Sequence, residues 1–97
     1  MLPIGSVIYL KDGTQKLMIL NRGPIIESDQ GKIIYDYSAC RYPIGFDLEE
    51  IFYFNEENID SIIFKGYIDD EEERLVDLYH KSMMNLDSGI VKGKVEN

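Results

Sequence analysis

Up to Tyr67 the sequence is a series of short β-branched and aromatic runs, each closed by Gly, Pro, Asn or Asp at roughly 8–12-residue spacing. No other feature limits the fold so strongly, because runs this short bury an apolar face only by pairing as strands. Residues 6–10 form the first run and end at Lys11-Asp12-Gly13-Thr14, where Asp-Gly suits the positive φ of a tight turn. Residues 15–20 read as the returning strand, broken by Asn21-Arg22-Gly23-Pro24, with Ile25 and Ile26 as a bent continuation. After Ser28-Asp29-Gln30-Gly31, residues 32–39 alternate: Ile33, Tyr35 and Tyr37 take one face, Ile34, Asp36 and Ser38 the other. Residues 50–55 and 61–67 supply a fourth and a fifth strand. A flat sheet of this size leaves one apolar face bare, so the expectation is a small antiparallel five-stranded sheet, curled and open-barrel-like.

The period changes at Asp69. Asp69 and Asp70 are suited to capping, and Glu71, Glu72 and Glu73 favour the positive end of a helix dipole. Leu75, Leu78, Tyr79, Ser82, Met83 and Leu86 then recur at intervals of three and four, which predicts one amphipathic helix ending near Asp87-Ser88-Gly89. Its stripe is expected to close the open end or face of the sheet. The class is therefore α+β, with a single domain over residues 1–89 and a short, charged, flexible tail over residues 90–97.

Length and charge exclude several functions. A chain of 97 residues has room for one core. Ten Lys and Arg against 18 Asp and Glu give a net charge of −8, which disfavours nucleic acid and anionic membranes, both held through phosphate neutralisation. The acids cluster at 47–50, 56–60 and 69–73, a distribution that serves solubility and would also steer a basic partner. The lone Cys40 forms no internal disulfide, which suits a reducing compartment. The start, Met1-Leu2-Pro3-Ile4-Gly5-Ser6, has no basic n-region, and no stretch approaches the ~18 apolar residues of a membrane span. A cytoplasmic location is expected.

Few residues offer chemistry. His80 stands in the helix without a nucleophile or second ligand at a useful spacing, and its neighbours Asp77 and Met84 do not complete a metal set. Cys40 beside Arg41 reads as a small buried hydrophobe, with a reactive thiol as the alternative. The acidic run 69–73 lacks the alternating ligands and central Gly of a calcium loop, and no Gly-rich phosphate loop follows a strand. No catalytic residue, metal or cofactor is expected.

What remains is interaction. Arg41-Tyr42-Pro43-Ile44-Gly45-Phe46 is a connection with three large apolar side chains, unusual for a segment that crosses the surface. Tyr42, Ile44 and Phe46, with Asp47 and Glu49 on the rim, have the composition of a partner-binding patch. The alternative is that the loop folds inward. Phe52 and Phe54 share a strand face and are expected in the core.

Several segments together resemble a known family. They are Leu2-Pro3-Ile4-Gly5-Ser6-Val7 and Gln15-Lys16-Leu17-Met18-Ile19-Leu20, followed by Tyr35-Asp36-Tyr37 and Arg41-Tyr42-Pro43-Ile44-Gly45. Phe52-Tyr53-Phe54-Asn55 and Ile59-Asp60-Ser61-Ile62-Ile63-Phe64-Lys65-Gly66-Tyr67 complete the set. In this order they resemble a family of small acidic proteins of unknown function encoded beside LXG-type toxins of the Gram-positive type VII secretion system. The resemblance implies a cytoplasmic chaperone or targeting factor, similar in role to EsaE-type export factors. Its partner would be the N-terminal or central region of a secreted toxin, and it would perform no catalysis. An immunity protein that neutralises the toxic domain is the alternative. The resemblance supplies no binding residues of its own.

Overall fold

The computed structural model describes residues 1–87 and 89–95. Eight strands and one helix follow in the order β1 (Val7–Leu10), β2 (Leu17–Arg22), β3 (Ile25–Ser28), β4 (Gly31–Ile34), β5 (Tyr37–Arg41), β6 (Phe52–Phe54), β7 (Ile59–Phe64), α1 (Asp70–Met84) and β8 (Ile90–Lys92). Each of the five runs legible in the sequence supplies a strand to one antiparallel sheet in the order β6-β5-β2-β1-β7, and the sheet does not close into a barrel. The α+β class and the single helix on the C-terminal side are as expected.

A second sheet, β3-β4-β8, was not expected. Gly23 takes φ 67, and a side chain there would begin 2.7 Å from the Tyr79 ring, so only glycine fits the bend that turns the chain out of β2. The chain then pairs with itself, Ile25 opposite Ile34 and Ser28 opposite Gly31. Residues 32–39 are therefore two strands in different sheets. The pairing breaks at Asp36, whose N–H donates to Asn55 Oδ1 (3.0 Å) and whose carbonyl accepts from Gly23 N (2.9 Å).

The expected tail is corrected as well. Ile90–Lys92 pairs in parallel with β4, Ile33 opposite Val91, and Gly93 continues the contact through its N–H to the Ile34 carbonyl (2.7 Å). Val95 packs against the core, and residues 96–97 lie outside the described residues. Two apolar residues between Gly89 and Lys92 carry too little periodicity to announce a strand; the free edge of β4 induces it.

The core is Leu2, Ile8, Leu17, Ile19, Tyr37, Ala39 and Phe54, with Phe52, Ile59 and Val95 packed against it. Each large member contributes roughly 1.5–3 kcal/mol by burial. Phe52 and Phe54 thus sit where their alternation places them.

Helix α1 begins as read: the Asp69 carboxylate accepts from the Glu72 N–H at 3.0 Å. It ends earlier, at Met84 with Asn85 as cap, and Ser88 of the expected stop lies outside the described residues. The stripe does not close the sheet. No helix residue is fully buried, and Leu75 and Leu78 remain exposed. Polar anchors hold the helix instead. Arg22, its side chain 4% exposed, donates through both terminal nitrogens to the Glu72 carboxylate at 2.6 and 2.5 Å and also to the Leu2 carbonyl at 3.2 Å. A bidentate pair so enclosed is strongly directional, and loss of one partner leaves a desolvated charge.

Arg22→Met is therefore expected to lower the unfolding free energy by about 3 kcal/mol in urea titrations, and Arg22→Met/Glu72→Met to recover most of that loss. A single variant as stable as the parent would show that the pair does not anchor the helix.

Candidate functional site

The connection from β5 to β6 holds every partner-binding candidate read from the sequence. Its neck is closed by the Arg41–Glu50 ion pair and by the Gly45 N–H bond to the Arg41 carbonyl (2.8 Å). Tyr42 is tied on both sides: its N–H donates to the Lys16 carbonyl (2.9 Å), and its own carbonyl accepts from Gln15 Nε2 (2.9 Å). Asp47 organises the second half, its Oδ1 accepting from the Glu49 N–H (3.0 Å) and its carbonyl from the Glu50 N–H (3.0 Å). The backbone is thus hydrogen-bonded along both halves of the loop.

The side chains turn outward. Tyr42 is exposed, Ile44 is 60% exposed and Phe46 63%, while Asp47, Glu49 and Glu50 are exposed beside them. Of the two readings of this loop, the inward one is not found. Leu48, exposed more than any of these, extends the patch and was passed over in the sequence. The signal was present: Tyr42, Ile44, Phe46 and Leu48 recur at every second position through a segment that forms no strand. An ordered loop presenting apolar side chains loses little conformational entropy on binding, which favours affinity.

The remaining polar cluster lies at the corner between β4 and β5. The Asp36 carboxylate accepts from Lys92 Nζ, from Tyr79 Oη (2.9 Å) and from the Glu56 N–H (2.9 Å). Burial pushes the Asp36 carboxyl up, but these three donors outweigh it and hold the group below its ordinary range. Tyr79 is pushed up by burial and by its bond to Asp36. Tyr37, which accepts from the Leu2 N–H (2.7 Å) and donates to Glu56, is pushed up by burial and by the bond to Glu56. Both phenols stay protonated far above neutrality. A carboxylate held charged and phenols held neutral make a structural tie.

The other chemical candidates are separated by their surroundings. Cys40 is enclosed on β5, whereas His80 is exposed on α1. Among the described residues, no group of three or more His, Cys, Asp or Glu side chains gathers as a metal site, and no helix is long and apolar enough to cross a membrane.

The large sheet, Asp36 and the loop fall within residues 1–75, which match the family model described as a domain of unknown function (DUF4176), whereas Tyr79 and Lys92 of the corner lie beyond the match. The chain belongs to this uncharacterised family. The match ends inside α1, so β8 lies beyond it. No curated protein and no solved structure gives a significant match.

Because Asp36 is held below its ordinary range in the folded state, its contribution to stability is present above the unfolded carboxyl value of about 4 and is lost as pH falls through the folded value. Asp36→Asn is expected to be less stable than the parent at pH 7, with the gap closing under acid in urea titrations at stepped pH. A gap unchanged from pH 7 to pH 2 would remove the charged state of Asp36 from the account.

Proposed function

We propose that this protein is a binding module that covers apolar surface on another protein, and specifically a cytoplasmic chaperone or targeting factor for a secreted LXG-type toxin. The observation that carries the binding role is the loop of Tyr42, Ile44, Phe46 and Leu48, exposed on a hydrogen-bonded frame and rimmed by Asp47, Glu49 and Glu50. An apolar centre within an acidic rim suits a client segment that is apolar with basic surroundings, and the rim keeps the free protein soluble. The toxin as client is supported by the resemblance of the segments between Leu2 and Tyr67 to proteins encoded beside such toxins. In this role the domain holds the N-terminal or central region of the toxin before export and performs no chemistry on it.

The net charge of −8 favours a second reading, an immunity protein set against a basic toxic domain. The two differ in where they bind. The tagged protein is to be co-purified with the product of the neighbouring toxin gene, supplied whole and as separate N-terminal, central and C-terminal parts. Capture of the N-terminal or central part supports the export role, capture of the toxic C-terminal domain alone supports immunity, and capture of neither overturns both.

Within either reading, Phe46→Asp is expected to weaken binding at least tenfold, about 1.4 kcal/mol, in titration calorimetry while leaving the circular dichroism spectrum unchanged. Full affinity in the folded variant would take the loop out of the interface.

A further inference from the structure

The edge of the sheet away from the loop carries a second apolar surface. Among the described residues β7 pairs with β1 alone, so its other side presents peptide groups without a strand partner there. Ile62, Ile63 and Phe64 are all more than half exposed, and Tyr67, just beyond the strand, is 79% exposed. Solvent-exposed edge strands are ordinarily guarded by charge, proline or brevity. β7 is six residues long and has no proline, its one charge is Asp60, and its last three residues, Ile62, Ile63 and Phe64, form an uninterrupted apolar run.

The pairing itself limits what fits. The register with β1 slips twice, Val7 facing Phe64 while Ile8 faces Ile62, and Tyr9 facing Ser61 while Leu10 faces Ile59. Ile63 and Asp60 are left without a partner on β1. Bulges of this kind twist an edge and shorten the stretch open to a further strand, so the occupant is a short extended segment and not an indefinite stack of sheets.

Charge decides between a second copy and a different protein. From residue 56 to residue 71 there are six acids against one lysine: Glu56, Glu57 and Asp60 precede the apolar run, and Asp69, Asp70 and Glu71 follow it. Acids lie outside the strand at both ends, so two copies paired in either direction bring Glu56 and Glu57 against acids, and the one attractive contact open to an antiparallel pair, Asp60 with the Lys65 that follows Phe64, is outnumbered. A segment with Lys or Arg on both flanks meets an acid cluster at each end, on one side beyond Lys65. Beyond the strand, Ile4, Tyr67 and Leu75 line a cleft of about 470 Å³ with Asp69, Glu71 and the Arg22–Glu72 pair, so an apolar wall with a net negative rim continues to the start of α1.

We propose that β7 and the adjoining cleft form a second docking surface, which takes a short extended apolar segment flanked by basic residues from another protein, added as a strand to the edge of the sheet. It lies across three strands from β6 and the loop that leads into it, and it does not depend on what that loop binds.

The test uses the full chain, labelled with nitrogen-15, and two synthetic peptides that share a Val-Thr-Val-Thr-Val-Thr centre, one flanked by two lysines at each end and the other by two glutamates. The lysine peptide is expected to shift amides within residues 59–68 and to bind at least tenfold more tightly than the glutamate peptide, with affinity falling as salt is raised from 25 to 300 mM. Ile63→Ser and Phe64→Ser, both at exposed positions, are each expected to weaken it severalfold with the fold intact by circular dichroism. Absence of shifts in that segment, equal binding of the two peptides, or affinity insensitive to both substitutions overturns the proposal. So does concentration-dependent dimerisation in sedimentation velocity that both substitutions abolish, because the edge then belongs to a second copy.

Discussion

Asp36 sits where the chain leaves the small sheet for the large one, and it is bonded directly to β8, to α1 and to two connecting segments. Its carboxylate receives β8 through Lys92, α1 through Tyr79 and the turn after β6 through the Glu56 N–H, while its carbonyl receives the bend before β3 through Gly23. Apolar burial would not do the same work, because it is non-directional and α1 offers no fully buried side chain. A partly buried carboxylate has a strong requirement for donors, and meeting it from three separate segments fixes where those segments lie. The Arg22–Glu72 pair repeats the principle at the other end of the helix. This small domain thus uses its apolar residues for one sheet and its charges to assemble the rest around it.

How much of this was legible follows from the range of each interaction. The five strands of the large sheet and the helix start were readable because local pattern specifies them: alternation for residues 52–54, Asp-Gly after β1, and an acidic first turn for α1. The second sheet was not, because β8 is paired through the edge of β4, and the backbone between β4 and β5 is engaged at Asp36 by groups distant in sequence, Asn55 and Gly23. The helix stripe misled for a related reason. Its period was right, but period states which residues share a face and not whether anything covers that face. In the loop, Tyr42, Ile44, Phe46, Asp47 and Glu49 were legible from composition, since large apolar residues around Pro and Gly conflict with a solvated connection. Their outward direction was not legible, because it depends on bonds to Gln15 and Lys16, in the connection just before β2. The apolar character of β7 was visible too, but its edge position is a property of topology.

The balance of surface against core is unusual for a chain of this size. Ile62, Ile63, Phe64, Tyr42, Ile44 and Phe46 are left to solvent although a small domain gains most by burying such residues. Covering them with the helix would raise stability, yet α1 leaves them exposed and is itself without a fully buried residue. Acids interleaved with the apolar groups offset the tendency to associate through self-repulsion. The arrangement gives up stability of the isolated domain and retains two surfaces on opposite edges of one sheet.

The contact of Val95 with a core that already contains Leu2 has a consequence for synthesis. Residues from the first and last turns of the chain share one interior, and β8 must reach β4 past nearly all the intervening sequence. As the polypeptide leaves the ribosome, β1 and β2 meet within seconds, but the small sheet stays incomplete until translation has passed position 95 and the exit tunnel has released it. The nascent chain therefore carries its apolar loop and edge in the open before its interior is sealed, and a partner present at that moment meets them first on an unfinished domain.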